Sequence, residues 1–139
     1  MSAQRKTISH YIFMSAELAG VPAGRNVERT NAMRAALKAA VSSVRDVQGC
    51  YAGTKEAAFW VSVCSPAEMA ACVALARTYG QESILIIHPA TYEATLSFVD
   101  SDESTPIGTM RSVSTIEAER DYSDAYTLIP GTDHALVCA

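Results

Sequence analysis

The chain predicts an α+β fold of the ferredoxin-like split βαβ type, a β-α-β-β-α-β sandwich in which two helices cover one face of an antiparallel four-stranded sheet. Three observations predict it. Two segments carry apolar residues at three- and four-residue spacing, a tight hairpin with alternating apolar positions lies between them, and β-branched and aromatic stretches precede the first helix and follow the second.

The first strand is read over Thr7 to Met14 (TISHYIFM), closed by the Gly- and Pro-bearing loop AGVPAGRN. From Asn26 the apolar positions Met33, Leu37, Ala40, Val41 and Val44 recur on one side of a helix, with Arg29, Arg34 and Lys38 on the other. Asn26 suits the helix cap and Glu28 the positive end of its dipole. Val47 to Thr54 and Ala57 to Cys64 form the hairpin about a tight Gly53-Thr54-Lys55 turn. Phe59, Val61 and Val63 share one face of its outgoing strand, and the turn gathers Tyr51, Thr54, Lys55 and Glu56, a polar cluster on a rigid apolar support.

Ser65-Pro66-Ala67-Glu68 is a capping box with proline at the first helical position, opening a helix whose buried stripe is Met69, Cys72, Val73 and Ala76 and whose end is marked by Gly80. Ser83 to Ile87 reads as a strand buried on both faces and halted by Pro89, and Thr95 to Val99 offers one more. The stretch from Thr105 to Ala139 holds short strand-like segments (MRSVSTI, YTLIP, ALVCA) and is assigned to packing and subunit contacts. The chain is thus read as one domain over 7–139, with a core of 7–99 and a C-terminal extension of 100–139. The sandwich leaves one sheet face bare, so self-association is expected to cover it.

At 139 residues the chain can bury about two-thirds of its unfolded surface. The net charge of -4 and pI near 5.3 argue against a nucleic-acid binder, whose grip on phosphates needs clustered Lys and Arg. The acidic stretch Asp100 to Ser104 reads as a solvated loop. Cys50, Cys64, Cys72 and Cys138 show neither a CxxC pair nor a histidine at zinc spacing, so buried free thiols are expected, with no metal site. No apolar run approaches membrane-spanning length and the N-terminus lacks a leader pattern, which predicts a soluble cytoplasmic protein with no membrane partner. AGVPAGRN lacks the GK[ST] of a phosphate loop, and Asp133-His134 with a distant serine makes no hydrolase triad.

An ordered set of residues carries a resemblance over about Tyr11 to Val99. A strand ends in the pair Ser15-Ala16; Asn26 and Arg29 enter a helix that carries Met33 and Leu37; Gly49-Cys50-Tyr51 follows, then Glu56, Ala76-Arg77 and Thr91. In this order the chain resembles the phage-encoded S-adenosylmethionine-degrading enzymes, once called hydrolases and better described as lyases. It departs from them in a shorter link between Tyr51 and the acidic position, and in having Ala57 where the family can show a second adjacent acid. The resemblance implies a homotrimer of sandwiches related to the PII (GlnB-like) signalling proteins, with sites between subunits. It also implies conversion of S-adenosylmethionine to methylthioadenosine and homoserine lactone without cofactor, in the host cytoplasm, as counter-defence against restriction.

In that reaction the substrate's own carboxylate attacks its γ-carbon, so the site needs a partner for the ammonium, a polar or aromatic neighbour and apolar walls. Glu56 is the candidate anchor and Tyr51 the candidate neighbour, together forming the catalytic pair. Thr54, Lys55, Asn26, Arg29, His88 and Tyr92 are the binding candidates. Glu56 can alternatively be a turn acid paired with Lys55, Tyr51 a packing residue and Asn26 a plain cap, while Arg29 suits a subunit salt bridge better than a contact that would blunt the nucleophilic carboxylate. Glu68 is explained by its capping box, and His10 and His134 read as structural or exposed. Two other functions stay open at this point: a PII-like adenine-nucleotide-binding regulator, which its short hairpin disfavours, and a hydrolase in which Glu56 activates water to give homoserine.

Overall fold

Period-two strands and period-3.6 helices sort the apolar side chains of residues 7–139, the part described by the computed structural model, onto two sides of a single sheet. The elements are β1 (His10–Met14), α1 (Ala23–Ala40), β2 (Ser43–Tyr51), β3 (Thr54–Val63), α2 (Pro66–Thr78), β4 (Ser83–Ile87), β5 (Glu93–Phe98), β6 (Ser104–Ser114), α3 (Thr115–Asp121), β7 (Ala125–Leu128) and β8 (His134–Cys138). The first six residues of the N-terminus read for a leader pattern lie outside the described residues. Among the described residues no helix is long and apolar enough to cross a membrane.

The expected split βαβ sandwich, PII-like and open on one face, is corrected. All neighbouring strands pair antiparallel in the order β1-β3-β2-β7-β8-β6-β5-β4, and β4 pairs with β1, so the sheet closes into an eight-stranded barrel. The first six elements do follow the expected order, but their sheet does not end. β7 takes the free edge of β2 and β5 that of β4, and β6 with β8 completes the circuit. Closure satisfies every strand edge that a four-stranded sheet would leave unpaired. The face assigned to neighbouring subunits is therefore the barrel interior, and residues 105–139, read as packing and contact material, supply all but the first residue of β6 together with α3, β7 and β8.

Two apolar layers result. Outside the barrel, Ile12, Met14, Phe59, Val61 and Val63 pack beneath Met33 and Leu37 of α1 and Cys72 and Ala76 of α2. Inside, Tyr11, Phe13, Trp60, Leu85, Ile87 and Met110 alternate with them. A third cluster, Val113, Ala135 and Val137, is covered by Ala118 of α3. Truncating Phe59, which is fully buried under both helices, would cost about 3–5 kcal/mol.

Several boundaries move. α1 begins at Ala23 after Pro22, with no side-chain cap; the Asn26 side chain instead accepts from the Leu18 amide at 3.0 Å and donates to the Leu18 and Val21 carbonyls, pinning the loop that enters the helix. Val44 belongs to β2, opposite Val61, because the helix pattern runs into a strand whose first apolar residue falls in phase. The hairpin turn is Ala52-Gly53, with φ of 49° and 86° and Tyr51 opposite Thr54, the left-handed geometry of a two-residue turn. α2 matches its sequence signals: Ser65 Oγ accepts from the Glu68 amide at 3.2 Å, and the Gly80 and Gln81 amides close on the Arg77 and Ala76 carbonyls. All four cysteines are free; Cys50 and Cys72 are buried, Cys64 and Cys138 half-buried. Burial and the charge of Glu68 push the Cys72 thiol up to about 12, which leaves it unreactive.

Candidate functional site

β1 and β3 pair only as far as Met14 opposite Phe59. Beyond that point side chains replace the main-chain ladder. Ser15 Oγ donates to the Ala57 carbonyl at 2.7 Å, the Glu17 carboxylate accepts from the Ala57 amide, and the Glu17 amide donates back to Ser15 Oγ at 3.1 Å. β1 thereby separates from β3 beside Glu56, and the barrel has a mouth there. Gln81, just past α2, donates to the Glu17 carbonyl at 3.0 Å and fixes the loop from the other side.

The opposite wall comes from β2 and β7. Gly49 faces Glu56 on β3 and Thr127 on β7, so strand alternation sets Gly49, Tyr51, Glu56, Ala58 and Thr127 on the inner face. The Tyr51 ring lies back across Gly49: a Cβ at that glycine would stand 2.9 Å from the ring's Cε2 and 3.3 Å from its hydroxyl oxygen. Glycine thus gives Tyr51 its resting place beside Glu56. The resulting cavity is about 250 Å³, with Ser15, Tyr51, Glu56, Gln81, Ser83 and Thr127 as its polar lining and Phe13, Ala58, Leu85 and Leu96 as its apolar one.

Burial raises the pKa of the half-buried Glu56 carboxyl; the charge of Glu17 adds to the rise and a hydrogen bond with Ser15 opposes it. Tyr51 exposes 49 % of its surface, yet burial of the rest, then Glu56, then Cys50, raise its hydroxyl above its ordinary value of 10.0. Tyr51 is therefore a neutral hydrogen-bond donor at physiological pH, next to a carboxylate that is costly to keep ionised without a cation.

Phe13 also lines a second cavity, of about 410 Å³, deeper along β1 and walled by Tyr11, Trp60, Ile87, Tyr92, Met110 and Leu136. The Trp60 ring meets Tyr11 edge-on and Phe13 tilted, each at 5.5 Å between centroids. Apart from Arg111 and Ser112 in its lining, this end of the barrel is aromatic and apolar, whereas the Glu56 end is polar.

Of the residues singled out from sequence, the structure brings Tyr51 and Glu56 together in one cavity. Thr54 and Lys55 are exposed at the hairpin tip, outside its lining. Asn26 is engaged with its own loop. Arg29 donates to the Ala16 and Tyr79 carbonyls and stacks on the Tyr79 ring, tying α1 to β1 and α2. His88 faces His10 edge-on at 6.5 Å, and its Nδ1 accepts from the Ala90 amide. Tyr92, at φ 60°, lines the aromatic cavity. Within one chain these last four do not meet Glu56. Sequence reasoning passed over Glu17 and Gln81, named Ser15 and Gly49 without giving them work, and had no signal for Thr127. The only hint was an acid just after the Ser15-Ala16 pair.

Comparison with known proteins adds one finding. The family model described as S-Adenosylmethionine lyase family matches residues 12–135, most of the chain and every residue that lines the mouth. No curated protein matches the chain.

Proposed function

The chain belongs to the S-adenosylmethionine lyase family and is a lyase of that substrate, and we propose that it acts at the Glu56 mouth, releasing methylthioadenosine and homoserine lactone. The observation that carries the reading is the pairing of Glu56 and Tyr51 in one cavity with a polar rim and an apolar floor. The substrate presents an ammonium, a carboxylate and a sulfonium. Glu56 holds the ammonium, which supplies the cation its half-buried position calls for, and Tyr51 directs its hydroxyl to the reacting chain.

The carboxylate oxygen then attacks the γ-carbon. The new C–O bond forms as the C–S bond breaks, its electron pair passing to sulfur, and no proton moves. The carboxylate anion and the sulfonium cation annihilate, leaving neutral methylthioadenosine and a lactone that carries only its ammonium, so charge separation falls along the reaction and a water-poor wall of Phe13, Leu85 and Leu96 favours it. Holding nucleophile and carbon in contact supplies the remaining advantage.

Exposed Thr54 and Lys55 suit contacts at the rim, and Asn26 and Arg29 keep the loops behind it in place. His88 and Tyr92 enter a site only if a second subunit brings them to the mouth. A homotrimer with such shared sites, cytoplasmic residence and a role in phage counter-defence belong to this reading on the strength of the resemblance alone, since closure of the barrel removes the bare sheet face that argued for self-association. Light scattering should give three times the 14.8 kDa chain mass; a stable monomer removes the trimer. Chromatography of S-adenosylmethionine incubated with the purified protein should show methylthioadenosine and lactone. Their loss in Glu56→Gln would support the site, and full activity of that variant would move the reaction elsewhere.

A further inference from the structure

We propose that Glu17 is a positioning residue for Glu56, acting both through the Ala57 peptide and through its negative charge; this rests on the reading of Glu56 as the substrate's ammonium anchor. The geometry points to it because the Ala57 peptide has lost β1 as a ladder partner. Its carbonyl is taken by Ser15 and its amide by the Glu17 carboxylate, one residue from Glu56. The loop that presents Glu17 is itself restrained, through Ser15 Oγ and through Gln81.

A hydrogen bond to Ala57 does not by itself require a charge, for a glutamine carbonyl accepts from an amide equally well. What the carboxylate adds is a second anion one residue from Glu56, in the neighbouring cavity that Glu17 lines with Asn26 and Arg34 of α1. It makes Glu56 harder to ionise when the site is empty and easier to satisfy once a cation arrives, so that the pair selects cationic ligands. Arg34 of α1 shares the cavity that Glu17 lines but is paired with Asp46 at 3.0 Å, and the groups around Glu56 itself do not cancel the charge. Tyr51 from β2 is neutral, and Gln81 and Ser83 ahead of and on β4, Leu96 from β5 and Thr127 from β7 carry none. Lys55 alternates to the other face of β3, opposite Cys50.

The test is a carboxyl carbon-13 titration of Glu56 in the ligand-free full-length protein, native against Glu17→Gln and Glu17→Ala, with kcat/KM measured across pH. Glu17→Gln should move the Glu56 titration, and with it the acidic limb of kcat/KM, to lower pH while keeping the Ala57 amide protected from exchange. Glu17→Ala should make the same shift but also lose that protection and about tenfold in kcat/KM at neutral pH, a loss that Glu17→Gln largely avoids. A Glu56 titration at the same pH in all three proteins overturns the proposal. Because the titration needs no substrate, it decides the matter separately from the site reading, which instead fails if Glu56→Gln turns over at the native rate.

Discussion

Replacing Gly49 by alanine asks whether the glycine of the Gly49-Cys50-Tyr51 run serves the strand or the tyrosine. The methyl carbon would stand 2.9 Å from Tyr51 Cε2, against a comfortable carbon–carbon separation of about 3.5–4.0 Å, so the ring must retreat by roughly 0.6 Å or more. Tyr51 is half-exposed and can swing outward, whereas β2 is paired on both sides and cannot. The fold should therefore persist while the hydroxyl leaves its place beside Glu56. A displacement of this size at a reacting centre costs on the order of tenfold to a hundredfold in rate. The assay is kcat/KM for S-adenosylmethionine in a double-mutant cycle. Gly49→Ala should lower it by about that factor in the native background and add almost nothing once Tyr51 is alanine. Unchanged activity in the native background, or an equal loss in both, would refute the idea that Gly49 acts through Tyr51.

Glu56→Gln should keep the fold and cut kcat/KM by at least about tenfold, roughly 1.4 kcal/mol of transition-state stabilisation, as progress curves would show. Glu68→Gln is the contrast: Glu68 holds the Ser42 amide and hydroxyl at the start of β2, so the change should cost about 1 kcal/mol in a denaturant melt and leave turnover near native. Glu56 also predicts a pH-dependent stability. Its folded-state pKa lies above the unfolded one, so the folded chain binds the extra proton between the two values; this carboxyl lowers stability above its folded pKa and has no effect below its unfolded pKa. Glu56→Gln should accordingly raise Tm at neutral pH, with the gain fading as pH falls and gone below about 4. A Tm difference that is constant between pH 4 and 7 would contradict the cause assigned to the shift.

The hairpin was legible because its periodicity is local: Phe59, Val61 and Val63 alternate in the chain as they do beneath the helices. Ser65, Glu68 and Gly80 likewise marked α2 within one turn of its ends. The barrel was not legible, because closure depends on which distant edges meet. β6 exposes much of its length and carries Gly, Ser and Thr where a buried strand would show Val or Ile, and β7 is only four residues long, so the strand-like segments there did not reveal their pairing with β5, β8 and β2. The same non-local register hid Glu17. Nothing near it in sequence tells that β1 stops pairing at Met14 and leaves the Ala57 peptide to be satisfied from the following loop. Tyr51 and Glu56 were found because they flank a turn; apart from nearby Gly49, residues that complete their surroundings lie far along the chain, from Ser15 and Glu17 on one side to Thr127 on the other.

The most direct measurement of the central claim is a brief reaction of the purified protein with S-adenosylmethionine in oxygen-18 water near neutral pH, with products identified by mass spectrometry from the first turnover onward. The account predicts methylthioadenosine together with unlabelled homoserine lactone, and homoserine only later as the lactone opens. Homoserine carrying the label on its side-chain hydroxyl from the first turnover, with no lactone, would contradict it and make Glu56 the base of a hydrolase.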